Sequence, residues 1–255
     1  MNAATTAHPR FRARHRTVNR TLEARRWRRW WVAAGPLVFA CVVLGVARTN
    51  VVDVDQINVA GVAQLDPEVV RTVSGITLGT QQVDLDLDAA VARVRALPWV
   101  ASATVTRNWP SAVDITVVER LPLGVVPAAE GGYLLVDLSG HAIEARTDPA
   151  AWPVIDIATP VTAGPGEVVE LAVPALAAID AMPFDLEPWI EGFSIDDRGA
   201  IVVQLVQGPT ANLGDERDLV AKFVSLATVL TRVETECLAS IDISVADSPV
   251  VKRNC

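Results

Sequence analysis

The chain has 255 residues, 51% of them hydrophobic, which suits one or two domains and a tail. Its net charge of -8 conceals a split: residues 1–29 hold nine arginines against the single acid Glu23 and carry +8, and the remainder carries -16. Such asymmetry places the two parts in different surroundings. Three cysteines (Cys41, Cys237, Cys255) without a CxxC pair exclude a fold built on disulfides.

The basic segment 1–29 reads as a cytoplasmic tail. It has no interleaved aromatics before Trp27 and abuts an apolar run, so attraction to anionic lipid explains it better than nucleic acid. Residues 30–50 are predicted to be a transmembrane helix. Trp30 to Ala47 is an uncharged run of 18 residues, just enough at about 1.5 Å per residue to cross a hydrocarbon core of about 30 Å. Trp27, Trp30 and Trp31 cluster at its start, where indole rings favour the headgroup zone, and the arginines before it put the N-terminus inside. The bulk of the chain is therefore expected outside a plasma membrane, in single-pass type II topology. Cleavage is disfavoured: Val46-Ala47-Arg48 is a poor signal-peptidase site, and Phe39 and the continuing apolar run disfavour lipidation at Cys41.

Residues 51–121 read as a compact α+β unit of order β-α-α-β-β. Val54–Val59 is the first strand. Asp66-Pro67-Glu68 starts a short helix with a capping acid, a proline at the first helical position and a carboxylate at the positive helix end. A second helix runs from Asp86 to Leu97, with Leu87, Val91 and Val94 on one face. Trp99, Ala101, Ala103 and Val105 then alternate with polar positions, as do Val113, Ile115 and Val117, around an Asn108-Trp109-Pro110-Ser111 turn.

Residues 122–255 read as a sheet-rich domain with two helices. Hairpins are predicted at 133–145 and 193–206, a short strand at 154–157, and helices from Pro174 and from Asp215 to Val233. In the last helix Leu219, Phe223, Leu226 and Leu230 fall at helical spacing. Ile241, Ile243 and Val245 alternate with Asp242, Ser244 and Ala246 as a final strand. Cys237 and Cys255 bracket it, and either pair in an oxidising compartment or remain two thiols.

These residues resemble the FtsQ/DivIB family of bacterial division proteins. The resemblance rests on Ile57-Asn58-Val59-Ala60-Gly61, on Leu97-Pro98-Trp99-Val100-Ala101-Ser102-Ala103 with Arg107-Asn108-Trp109-Pro110, and on Val117 to Pro122. Further on it uses Leu135 to Gly140, Leu213-Gly214-Asp215 with Lys222, and Ile241-Asp242-Ile243. It implies a POTRA domain over 51–121, an FtsQ-type β domain over 122–255, and a non-enzymatic divisome scaffold at the septum. It also implies FtsB and FtsL as partners, regulation of septal peptidoglycan synthesis, and partner contact through an added strand. That strand would pair with Ile241, Asp242, Ile243, Ser244 and Val245, with Val250 and Val251 beyond. Alternatively the strand is paired internally and only closes the sheet. The chain ends four residues after Val251, so the edge is expected to be short or differently capped.

Nothing in the sequence points to catalysis, a cofactor, a metal or a small-molecule substrate. His141 is the single histidine after the apolar run and lacks a G-x-S-x-G elbow. Asp84, Asp86 and Asp88 lack the later Gly and Glu of a calcium loop and read as helix-start acids. Two rival readings are a POTRA-containing transport or secretion component that docks peptide strands, and a membrane-anchored cell-wall enzyme.

Overall fold

A computed structural model describes residues 34–42, 45, 52–159, 161–233 and 237–254. Residues 34–42 are helical, and Leu37, Val38, Phe39 and Val42 lie exposed on that helix. No helix among the described residues is long and apolar enough to cross a membrane. The predicted span 30–50 lies about half outside the described residues, and the predicted interface residues Trp27, Trp30 and Trp31 lie wholly outside them.

The rest divides into two compact units. The smaller takes the residues up to Ile57, Thr77–Leu85 and Arg107–Val113. Backbone bonds hold it. The Val54 N–H donates to Thr80 O (2.9 Å), the Gly79 N–H donates to Val54 O (2.8 Å), and the Asp55 N–H donates to Ser111 O (2.8 Å). The Arg107 guanidinium donates to Gln82 O and Leu85 O at 2.7 Å each, which satisfies carbonyls at and just after a 3-10 turn at Gln82–Asp84.

The larger unit takes Asn58–Ile76, Asp86–Thr106 and the chain from Asp114 onward. The first five elements occur in the predicted order: β1 (Gln56–Ala60), α1 (Pro67–Ser74), α2 (Leu87–Arg95), β2 (Val100–Asn108) and β3 (Ala112–Glu119), with β3 central in a β1-β3-β2 sheet. Asp66 caps α1 by accepting from the Glu68 N–H, and Asp86 caps α2 by accepting from the Ala89 N–H. Gly61 has φ +82°, and a Cβ there would sit 2.0 Å from Val117 O, so only glycine lets the chain leave β1 against β3. One strand face differs from expectation. Val100 is buried and Ala101 exposed, with the alternation resuming at Ala103 and Val105. The cause is local: the Val100 N–H bonds back to Leu97 O, so the strand begins inside the turn that leaves α2.

Beyond Glu119 come β4 (Pro122–Pro127), β5 (Tyr133–Asp137) and β6 (Ala142–Arg146), an antiparallel meander. Then follow β7 (Ile155–Ile157), α3 (Val173–Ala181), β8 (Ile190–Ile195), β9 (Ile201–Leu205), β10 (Thr210–Gly214), α4 (Leu219–Arg232), β11 (Leu238–Asp242) and β12 (Val250–Arg253). The last six strands form one sheet in the order β12-β11-β10-β9-β8-β7. A single apolar core joins Val126, Ile155, Leu176, Phe193, Phe223 and Ile241, with α3 and α4 contributing their buried faces. The predicted stripe Leu219, Phe223, Leu226 and Leu230 is buried throughout. α4 begins at Leu219 rather than Asp215 because 215–218 is a turn, with Asp218 left-handed at φ +55°.

Candidate partner-binding edge

The last strand lies elsewhere than the alternation suggested. Ile241 and Asp242 belong to β11, which is paired on both sides: parallel to β10 (Ala211↔Ile241) and antiparallel to β12 (Ile241↔Val251). Both backbone edges of Ile241 are therefore occupied. Ile243 follows the strand with its N–H on Asn212 O (2.8 Å) and its side chain fully buried. The chain then turns: the Asp242 carboxylate accepts from the Ser244 N–H, and the Ser248 N–H donates to Val245 O. Ser244 and Val245 are thus turn residues. This corrects the expectation that 241–245 forms the open edge. That position belongs to β12, at the end of the sheet, with Val250 exposed and Val251 packed partly against the core.

Chain direction fixes which donors β12 presents outward. The Asn254 N–H points inward to Cys237 O at 3.0 Å. Alternation along a strand then directs the Lys252 and Val250 N–H groups inward, and those of Val251 and Arg253 outward. Beside the strand a mainly apolar groove of about 290 Å³ runs between α4 and the following turn, lined by Thr228, Val229, Val233, Pro249 and Val251 among others. A second, polar cleft of about 270 Å³ lies toward the start of α4, lined by Asp215, Arg217 and Lys222 with Ser244 to Asp247. Lys222 is buried, and its ammonium donates to Asp215 O (2.8 Å) and Oδ1 (3.0 Å). Hydrogen bonds from Arg217 first, and then from Lys222, hold the Asp215 carboxyl far below the usual carboxylate range. The buried lysine fastens the turn that launches α4.

Glu119 and Arg120 carry the other polar cluster. The Glu119 carboxylate accepts the backbone N–H groups of Ala63, Gln64 and Leu65 at 2.8–3.0 Å. Burial alone would raise its pKa, but these three donors outweigh it and bring it below the ordinary value. Arg120 Nη1 donates to Asp137 Oδ2 at 2.7 Å, with both side chains largely buried. Asp137 Oδ1 accepts from the Ser139 N–H, the Ser139 hydroxyl and the His141 N–H. Here too burial raises the carboxyl and the hydrogen bonds, led by Arg120, lower it further than burial lifts it.

Ser139, His141 and Asp137 superficially suggest a triad. However, Ser139 Oγ (3.0 Å) and Asp137 Oδ1 (3.9 Å) both approach the same ring nitrogen, His141 Nδ1. Nucleophile activation requires the serine on one nitrogen and the carboxylate on the other. The cluster is an Asp-anchored turn. Among the described residues no three His, Cys, Asp or Glu groups gather as metal ligands.

Residues 52–120 match the family model for the POTRA domain, FtsQ-type. Over 222 residues the chain is 28% identical to cell division protein FtsQ of Mycolicibacterium smegmatis, which covers 87% of this chain and 64% of that protein. It is 29% identical over 203 residues to cell division protein FtsQ of Corynebacterium glutamicum, covering 79% of this chain and 90% of that one. It is also 29% identical over 229 residues to the FtsQ of an Anaeromyxobacter strain, covering 83% and 76%. The chain is thus similar to FtsQ proteins over most of its length, and the family model itself matches its residues 52–120. It spans just under two thirds of the M. smegmatis FtsQ.

The structure gathers Ile241, Asp242, Val250 and Val251 on neighbouring strands and sets Ser244 and Val245 in the connecting turn. Cys237 is disulfide-bonded and Cys41 is free, whereas Cys255 lies outside the described residues. Sequence reasoning missed β10 and β12 as strands. It also missed the Lys222–Asp215 tie, whose signal is a lysine one position from Phe223 on a buried helical stripe.

Proposed function

We propose that this chain is a non-enzymatic bitopic scaffold of bacterial cell division. It holds FtsB- and FtsL-like partners by extracytoplasmic strand pairing and so helps regulate septal peptidoglycan synthesis. In this reading 1–29 is a cytoplasmic tail, 30–50 spans the plasma membrane, 51–121 is the POTRA domain and 122–255 the β domain. The uncharged run behind nine arginines supports the topology, together with the outward apolar side chains of residues 34–42. The names of the relatives support the division role.

One observation carries the partner reading: β12 ends a six-stranded sheet, is only four residues long, and lies beside an apolar groove. An incoming strand can satisfy its outward N–H and C=O groups while alternate side chains enter the groove. Tethering in one membrane raises the effective concentration, so a modest pairing suffices. The test is a pull-down of FtsB- and FtsL-like proteins with the full chain and with Val251→Pro/Arg253→Pro. These prolines remove two outward donors and leave the inward ladder intact. Two hydrogen bonds at roughly 0.5–1.5 kcal/mol each predict binding weakened about 5- to 150-fold. Equal recovery by a folded variant would sink strand pairing at β12.

A further inference from the structure

The smaller unit exposes three large apolar side chains that no interaction described so far uses. Leu78 is 64% exposed, Trp109 54% and Val83 41%. They belong to two runs without a charged residue, Ile76 to Val83 and Asn108 to Val113, in a portion of the chain that is otherwise strongly acidic. The turn at 77–80 is held by the Thr80 N–H on Thr77 O and by the two threonine hydroxyls 2.7 Å apart. Gly79 sits at φ +80° in it, next to the exposed Leu78. Trp109 stands at the tip of the hairpin between β2 and β3.

Both loops are fastened to the stretch of chain that emerges from the apolar segment. Gly79 and Thr80 bond Val54, and Ser111 bonds Asp55. Arg48, which ends the uncharged run, is six residues before Val54, at most about 22 Å of extended chain. The same compact unit therefore contains the membrane-proximal chain and the two exposed apolar loops.

We propose that Leu78, Val83 and Trp109 form a membrane-surface contact, seating this end of the POTRA domain in the lipid headgroup zone. The inference rests on the single-span reading above. A Trp flanked by aliphatic side chains suits that zone, where the ring body is apolar and the N–H stays wet. The charged groups near these side chains are Asp53, Asp55 and Asp84 together with Arg107, whose guanidinium bonds Gln82 O and Leu85 O; acids outnumber the one cation, so the surface that fits is a zwitterionic one, such as phosphatidylcholine, rather than a strongly anionic one.

The test uses the full chain with Cys41→Ser, reconstituted in phosphatidylcholine vesicles and labelled without reductant at Leu78→Cys with a fluorescent probe. Phe184→Cys, also exposed but in the other unit, is the reference position. A lipid carrying a nitroxide on its headgroup should quench the Leu78 probe at least about threefold more than the Phe184 probe, as expected of a group lodged among headgroups. Trp109→Ser should remove most of that difference. Vesicles that float with protein but show equal quenching at both positions overturn the contact while leaving the span intact. Quenching at Leu78 that persists in Trp109→Ser also overturns it, because the tether alone then accounts for the proximity. Protein that fails to float with the vesicles overturns the span on which the inference stands.

Discussion

Replacing Arg120 by methionine tests the linkage that β3 makes to β5. The guanidinium is 2.7 Å from Asp137 Oδ2, and the two side chains are only 16% and 9% exposed. Removing one member of such a pair leaves a carboxylate with little water to replace its partner, a change that costs about 3–5 kcal/mol when the remaining charge has no other donor. Asp137 keeps three donors, from Ser139 and His141, so the expected loss is smaller, about 2 kcal/mol. The measurement is urea unfolding of the full chain in detergent, followed by tryptophan fluorescence, for wild type, Arg120→Met, Asp137→Asn and the double variant. The carboxyl titrates below its ordinary value when folded, so its stabilisation is present above the unfolded pKa of about 3.9 and disappears as pH falls through the lower folded pKa. Arg120→Met should flatten that acid limb as well as lower stability at neutral pH. A loss under about 0.5 kcal/mol, or strict additivity in the double variant, would refute the argument that the pair is a buried, coupled unit.

Two further outcomes follow from the same geometry. Glu119→Gln keeps the shape but weakens acceptance from Ala63, Gln64 and Leu65; these bonds are near the surface, so the expected loss is about 1 kcal/mol. Its acid dependence has the same sign, with stability lost as pH falls through the lowered folded pKa, and proton-detected hydrogen exchange at 63–65 reports the opening. A Cys237–Cys255 bridge, one of the two alternatives the sequence leaves open, would close a loop of roughly 20 residues around β11 and β12 and stabilise the fold by about 3 kcal/mol. Non-reducing peptide mapping should recover the linked peptide, and reductant should raise exchange at 250–254. A free thiol at either position in native protein rules the bridge out.

The FtsQ-type POTRA order was legible because its signals are short-range. Asp66-Pro67 and Asp86 cap helices through their own next residues, and Ala60-Gly61 marks a position that only glycine fills. The buried stripe of α4 was equally readable from its spacing. The edge of the large sheet was not. Val250 to Arg253 shows no clean alternation, because this edge strand partly buries only one side chain, Val251, and its N–H pairing depends on β11, whose partner residues lie eight to fifteen positions upstream. β10 was hidden by Asn212 and Gly214, residues that avoid strands unless a neighbour on each side satisfies their backbone.

Charge, the uncharged run and the capping residues are properties of neighbours along the chain, so the sequence by itself determined the bitopic expectation, the α+β class and the starts of α1 and α2. Which strand lies outermost, which acid meets Arg120, and where Lys222 hides its charge depend on contacts between residues distant in sequence. Those were decided only when the core closed, since burial then selects among many locally equivalent pairings the one that leaves the fewest buried polar groups unmatched.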